Sequence, residues 1–107
     1  MKKKILVIGS TGKLGIKLLE FCSKNNINIF CITGFNNEKL LNTQSLKYNI
    51  NYTFKLSEKN NVKNFIKFLK NYKIDLVYFL DFGHKSLLYA DIFLENNNNS
   101  QIAIANK

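Results

Sequence analysis

Lys4-Ile5-Leu6-Val7-Ile8-Gly9-Ser10-Thr11-Gly12-Lys13-Leu14-Gly15 reads as a strand, a turn and the start of a helix. The continuous apolar run Ile5 to Ile8 has the pattern of a parallel strand buried on both faces. Three glycines at three-residue spacing break that run, and helical spacing begins directly after them. Such a connection aims backbone N–H groups and the positive end of a helix dipole at the strand's carboxyl end, where a pyrophosphate is favoured. Gly9 is expected to let the chain turn sharply, Gly12 to let a phosphate approach the backbone, and Gly15 to let the helix pack closely on the sheet. The spacing is G-x-x-G-x-x-G rather than the G-x-G-x-x-G of the standard dinucleotide fingerprint, so the strand before and the helix after carry the inference. The expected site is Gly9, Ser10, Thr11, Gly12, Lys13 and Leu14; the plain alternative is a glycine-rich turn that binds nothing.

Outward from this stretch, strand and helix patterns alternate. Lys13 to Lys24 carries Leu14, Leu18, Leu19 and Cys22 at helical spacing and ends at Asn25-Asn26. Ile27 to Thr33 reads as a second buried strand closed by Gly34, and Asn37 to Tyr48, with Leu40, Leu41 and Leu46, as a weaker second helix. Ile50 to Phe54 is a short third strand. Ser57 is expected to cap a third helix with an apolar stripe of Val62, Phe65, Ile66 and Leu69. Ile74 to Leu80 reads as a fourth strand, Lys85 to Leu94 as a fourth helix, Asn96 to Asn99 as a loop and Gln101 to Ala105 as a fifth strand. This alternation predicts an α/β domain over residues 1–107, a Rossmann-like doubly wound parallel sheet of about five strands in the order 3-2-1-4-5. Ligands of such sheets lie beyond the strand carboxyl ends, at the switch between strands one and four. That rule nominates Gly9 to Leu14, Gly34 to Asn37, Asp81 to His84, and Asn106 with Lys107.

Bulk properties exclude several function classes. The 107 residues suffice for a single core, the 46% hydrophobic content is that of a globular chain, and no apolar run is long enough to span a bilayer. A soluble, cytoplasmic protein is expected. The net charge of +9 invites a nucleic-acid reading, but every basic residue is lysine and the lysines scatter along helix faces. A solvated surface is the preferred reading, and the charge also attracts a polyanionic cofactor. Cys22 and Cys31 lack a C-x-x-C arrangement, and His84 has no partner at metal-ligand spacing, so no metal site is expected.

With these motifs in hand, the chain resembles the amino-terminal part of the 1-deoxy-D-xylulose 5-phosphate reductoisomerases. The opening Lys4 to Gly15 is similar to that family's I-L-G-S-T-G-S-I-G, and Ile102-Ala103-Ile104-Ala105-Asn106-Lys107 resembles its I-A-L-A-N-K segment. Thr33-Gly34-Phe35-Asn36 falls where the family has a Gly-basic-Asn turn, and Ile74-Asp75-Leu76-Val77 where it has a V-D-x-V strand. The likeness runs the length of the chain in order. The chain departs from the family at Lys13, where Ser is usual, and at Phe35, where a basic residue is usual. It departs again at Asp81 to Lys85, which replaces a loop of small residues.

The family reduces and isomerises its phosphosugar with NADPH and a divalent metal (Mg or Mn) in non-mevalonate isoprenoid biosynthesis. The resemblance therefore implies an oxidoreductase's NADP(H)-binding domain, with Ser10 to Leu14 at the phosphates, Gly34, Phe35 and Asn36 at the adenosine ribose, and Asn106 and Lys107 toward the nicotinamide. The family's metal carboxylates and substrate-phosphate residues correspond to positions beyond Lys107, so this chain alone is expected to be inactive, with no catalytic residue and no metal ligand of its own. Its implied partners are the dinucleotide and either a second copy of the chain or a carboxyl-terminal catalytic part. The alternative is a stand-alone dinucleotide-binding sensor without catalysis. NADP(H) is expected over NAD(H) because no acid closes strand two to hold a ribose 2′-hydroxyl, and Lys39 stands as the substitute cation for Phe35.

Overall fold

The computed structural model describes residues 3–80 in full and residues 101–104 as backbone. Its elements are β1 (Ile5–Ile8), α1 (Lys13–Lys24), β2 (Cys31–Gly34), α2 (Glu38–Tyr48), β3 (Tyr52–Lys55), α3 (Lys59–Asn71), β4 (Leu76–Phe79) and β5 (Gln101–Ile104). β1 pairs in parallel with β2 on one side and β4 on the other, and β2 pairs in parallel with β3. These four strands form an all-parallel sheet in the order β3-β2-β1-β4, and the backbone of β5 lies parallel to β4 with Leu76 opposite Gln101. The arrangement is the Rossmann-like parallel sheet that alternating elements predict.

Alternate residues of the central strands feed two cores. Ile5 and Val7 of β1 and Ile32 of β2 face Leu19 and Cys22 of α1 and Leu41 of α2. Leu6, Ile8, Cys31, Val77 and Phe79 face Phe65, Phe68 and Leu69 of α3. Helices therefore cover both faces, which explains why β1 is apolar at every position. Each fully buried Leu or Phe contributes about 1.5–3 kcal/mol. The larger core extends through an aromatic group in which the Phe30 ring lies 5.1 Å from Tyr52, 5.8 Å from Phe68 and 5.5 Å from Tyr72.

Asparagines set several element ends. α1 stops at Asn25, whose side-chain Nδ2 donates to the Phe21 carbonyl at 2.8 Å, and Asn26 follows at φ 57°. Asn37 caps α2 by accepting the Leu40 N–H at 3.1 Å, and Asn49 closes it in the left-handed region.

Several expectations are corrected. The inward face of α1 is Gly15, Leu19 and Cys22; Leu14 is exposed and Leu18 only half-buried. Gly15 has to face the turn, which rotates the helix by about 100° from the phase that Leu14 and Leu18 would set. In α2 Leu46 points to solvent at 84% exposure and Gln44 is buried instead. Ser57 does not cap α3: the helix starts one residue later with Glu58 at the cap position, without a side-chain bond, and the Ser57 N–H donates to the Phe35 carbonyl at 2.9 Å. The α3 stripe includes Phe68, while Ile66 is half-buried. β2, β3 and β4 start later than the apolar runs that announce them, at Cys31, Tyr52 and Leu76. The fourth helix Lys85 to Leu94, the loop Asn96 to Asn99, and Asp81 to His84 lie outside the described residues.

Among the described residues no helix is long and apolar enough to cross a membrane.

Candidate dinucleotide-binding site

The chain leaves β1 through Gly9 at φ 93°, a conformation that L side chains rarely adopt. The N–H groups of Gly9 and Ser10 both donate to the Thr33 carbonyl of β2, at 3.0 and 2.9 Å, and Gly9 N–H also reaches Thr33 Oγ1 at 3.3 Å. Ser10 is fully buried. Its hydroxyl donates to Gln44 Oε1 at 2.8 Å, and Gln44 Nε2 donates back to the Ser10 carbonyl at 2.9 Å. The turn is thus bolted to β2 by its backbone and to α2 by one reciprocal pair of bonds. Neither Ser10 nor Gln44 leaves a buried polar group unpaired.

Gly15 clamps the other side. A Cβ there would lie 2.5 Å from the Gly9 carbonyl oxygen and from Ser10 backbone atoms. The close packing expected of Gly15 is real, but its partner is the turn itself rather than the sheet. Gly34 has a comparable role: a Cβ on it would meet Thr11 Cγ2 at 3.0 Å, Thr11 Oγ1 at 3.1 Å and Leu41 Cγ at 3.2 Å. The missing side chain lets Thr11 settle against the end of β2, which brings the Gly9–Leu14 and Gly34–Asn36 segments together.

With Gly9 and Ser10 committed to Thr33, the donors left for a ligand are those of Thr11, Gly12 and the first turn of α1. Gly12 is the cap residue, in extended backbone at φ −80° and ψ 175°, and it supplies no side-chain cap. No acidic residue stands in that turn. The amides of Gly12, Lys13 and Leu14 precede the first intrahelical bonds and keep no backbone acceptor among the described residues. A Cβ on Gly12 would meet nothing within 4 Å, so the space beside its Cα is open. Lys13 and Leu14 are exposed beside it. An anion here would satisfy orphan donors and meet the positive end of the helix dipole.

At the end of β2, Phe35 is 59% exposed and Asn36 is exposed, and the Asn36 carbonyl accepts the Glu38 N–H at 3.0 Å. Lys39 is exposed in the first turn of α2. Beside this loop Lys55 Nζ lies 3.5 Å from Glu38 Oε2 and 3.5 Å from Glu58 Oε1. Asn106 and Lys107 lie outside the described residues. Asp75 is at the opposite edge of the sheet, where its Oδ2 accepts the Lys4 N–H at 2.8 Å.

Two supports of the site escape a reading of apolar residues alone. Gln44 is polar, yet Leu41, Gln44 and Tyr48 recur at helical spacing and mark the inner face of α2. Thr33 closes the strand that receives the turn, and a hydroxyl at the end of a buried apolar run was the available signal.

No protein-family model matches the chain, and no curated protein matches it. What the site can hold is therefore read from its geometry.

Proposed function

We propose that this chain is the NADP(H)-binding domain of an oxidoreductase similar to the 1-deoxy-D-xylulose 5-phosphate reductoisomerases, organised as one doubly wound sheet ordered 3-2-1-4-5. The observation that carries the reading is the uncapped first turn of α1, open beside Gly12 and held rigid by Thr33, Gln44 and Gly15. Rigid, unpaired amides at the carboxyl end of a central strand fit a pyrophosphate better than they fit a neutral ligand.

In this reading Gly12, Lys13 and Leu14 bind the pyrophosphate through backbone N–H groups, with Lys13 adding positive charge. Ser10 and Thr11 support that turn: Ser10 through Gln44, and Thr11 by packing over Gly34. Gly34 to Asn36 flank the adenosine ribose, and Asn106 and Lys107 lie toward the nicotinamide by resemblance. When bound, the cofactor supplies a hydride. Reductive isomerisation further needs several carboxylate oxygens on one cation, and the Asp75 carboxylate is engaged at the far edge of the sheet.

Calorimetric titration with NADPH should show saturable binding to the purified chain. The same protein with 1-deoxy-D-xylulose 5-phosphate and Mg²⁺ or Mn²⁺ should not oxidise NADPH. Absence of NADPH binding would overturn the cofactor assignment, and turnover would overturn the assignment of a binding domain without chemistry.

A further inference from the structure

We propose that Lys55 is the cation that reads the ribose 2′-phosphate and that Glu38 competes for it, so that this ion pair sets the preference for NADP(H) over NAD(H). The inference rests on the dinucleotide reading above. Lys55 is the last residue of β3 and stands in register with Gly34, across a strand spacing of about 4.8 Å. Its place is fixed by one backbone bond and one side-chain bond: the Leu56 N–H donates to the Gly34 carbonyl at 2.8 Å, and the Asn61 side-chain Nδ2 donates to the Lys55 carbonyl at 3.0 Å. Tyr52 and Phe54 pack toward α3, so alternation along β3 puts Lys55 on the α2 side of the sheet, the side of Glu38.

The charges differ in how firmly they are held. The Lys55 side chain is only 21% exposed, whereas those of Glu38 and Glu58 are 65% and 60% exposed. Both contacts are 3.5 Å, longer than the roughly 2.7–2.9 Å of a tight charge-assisted hydrogen bond. A largely covered lysine side chain thus starts beside Gly34 and ends between two exposed carboxylates. Of these, Glu58 is also held by Asn61 Nδ2 at 3.0 Å, while the Glu38 carboxylate has no second partner of its own among the described residues. A phosphate monoester, with a charge of about −1.5 to −2, is the stronger partner for the Lys55 ammonium. Phe35 carries no charge, and Lys39 lies on an exposed helix turn rather than against Gly34. The cation missing from the loop after β2 is supplied from β3.

Glu38 adds a second, opposite effect. With Lys55 engaged by Glu38, a 2′-phosphate has to displace a carboxylate, while a 2′-hydroxyl does not. Removing the Glu38 charge should therefore help NADP(H) specifically.

The test is calorimetric titration of NADPH and NADH into the parent chain and into Lys55→Gln, Lys55→Arg and Glu38→Gln, with thermal unfolding of each as a fold control. Lys55→Gln should weaken NADPH about tenfold or more and leave NADH unchanged. Lys55→Arg should keep the preference, and Glu38→Gln should tighten NADPH roughly two- to fivefold. Equal changes for both cofactors, or no change in NADPH, would overturn the role of Lys55. A parent chain that binds NADH but not NADPH would overturn it while leaving the dinucleotide site standing. A parent that binds neither would overturn both.

Discussion

Gly12 and Gly15 are three residues apart and have opposite requirements. At Gly15 an added Cβ would fall 2.5 Å from backbone atoms of Gly9 and Ser10, and backbone cannot swing aside as a side chain can. At Gly12 the same atom would enter open space from a backbone conformation that any residue adopts. Gly15→Ala should therefore destabilise the fold by about 2–3 kcal/mol, at the upper end for overpacking. Gly12→Ala should leave stability within about 0.5 kcal/mol, the usual range for surface changes. Urea unfolding of the two variants measures both. Equal stabilities would mean that α1 does not rest on the turn as described. The glycine spacing, the open side of Gly12 and the close packing at Gly15 were legible in the sequence; that Gly15 packs on the turn rather than on the sheet was not, because that depends on how α1 is rotated.

The elements differ in how openly their sequences declare them. β1 and α1 were readable because an unbroken apolar run meets glycines and then a helical rhythm. α2 was harder: Leu41 and Leu46 are about 140° apart around a helix, so they cannot share one buried face. The structure buries Leu41 and exposes Leu46, and the second inward position belongs to Gln44. A polar residue earns that place only through a partner elsewhere in the chain, here Ser10, and such a pairing cannot be seen in local periodicity. In α3, by contrast, Phe68 stands at helical spacing from Phe65 and was open to a local reading, while Ile66 beside Phe65 turns aside. Gln44→Leu keeps the volume but leaves the Ser10 hydroxyl without its acceptor and the Ser10 carbonyl without its donor. It should cost about 1–3 kcal/mol and weaken NADPH binding through the loosened turn. A variant of unchanged stability would show that the reciprocal pair does not hold the turn.

At the scale of the whole molecule, each of the two cores encloses one thiol, Cys31 of β2 in one and Cys22 of α1 in the other. Burial pushes Cys31, in β2, well above its ordinary value of 9.0, and raises Cys22 from the same value. A thiol that stays protonated in the folded chain but ionises in the unfolded one stabilises the fold fully below pH 9 and loses that contribution as pH rises above it. Stability should be flat between pH 7 and 8 and fall from about pH 9 upward. Tyr52 acts in the same direction further up the scale, because its hydrogen bond with Tyr72 raises it from 10.0. Cys31→Val should reduce the alkaline slope seen in thermal unfolding, and an unaltered slope would contradict the assignment.

The same architecture places the unpaired amides of α1 at the carboxyl end of a central strand, flanked by β2 and β4. The account stands on a phosphate lying in the open space beside Gly12. The direct measurement is calorimetric titration of NADPH into the parent chain and into Gly12→Val, with urea unfolding of both. The account predicts saturable binding by the parent, none by the variant, and closely similar unfolding midpoints. A folded Gly12→Val chain that binds NADPH as tightly as the parent would contradict it.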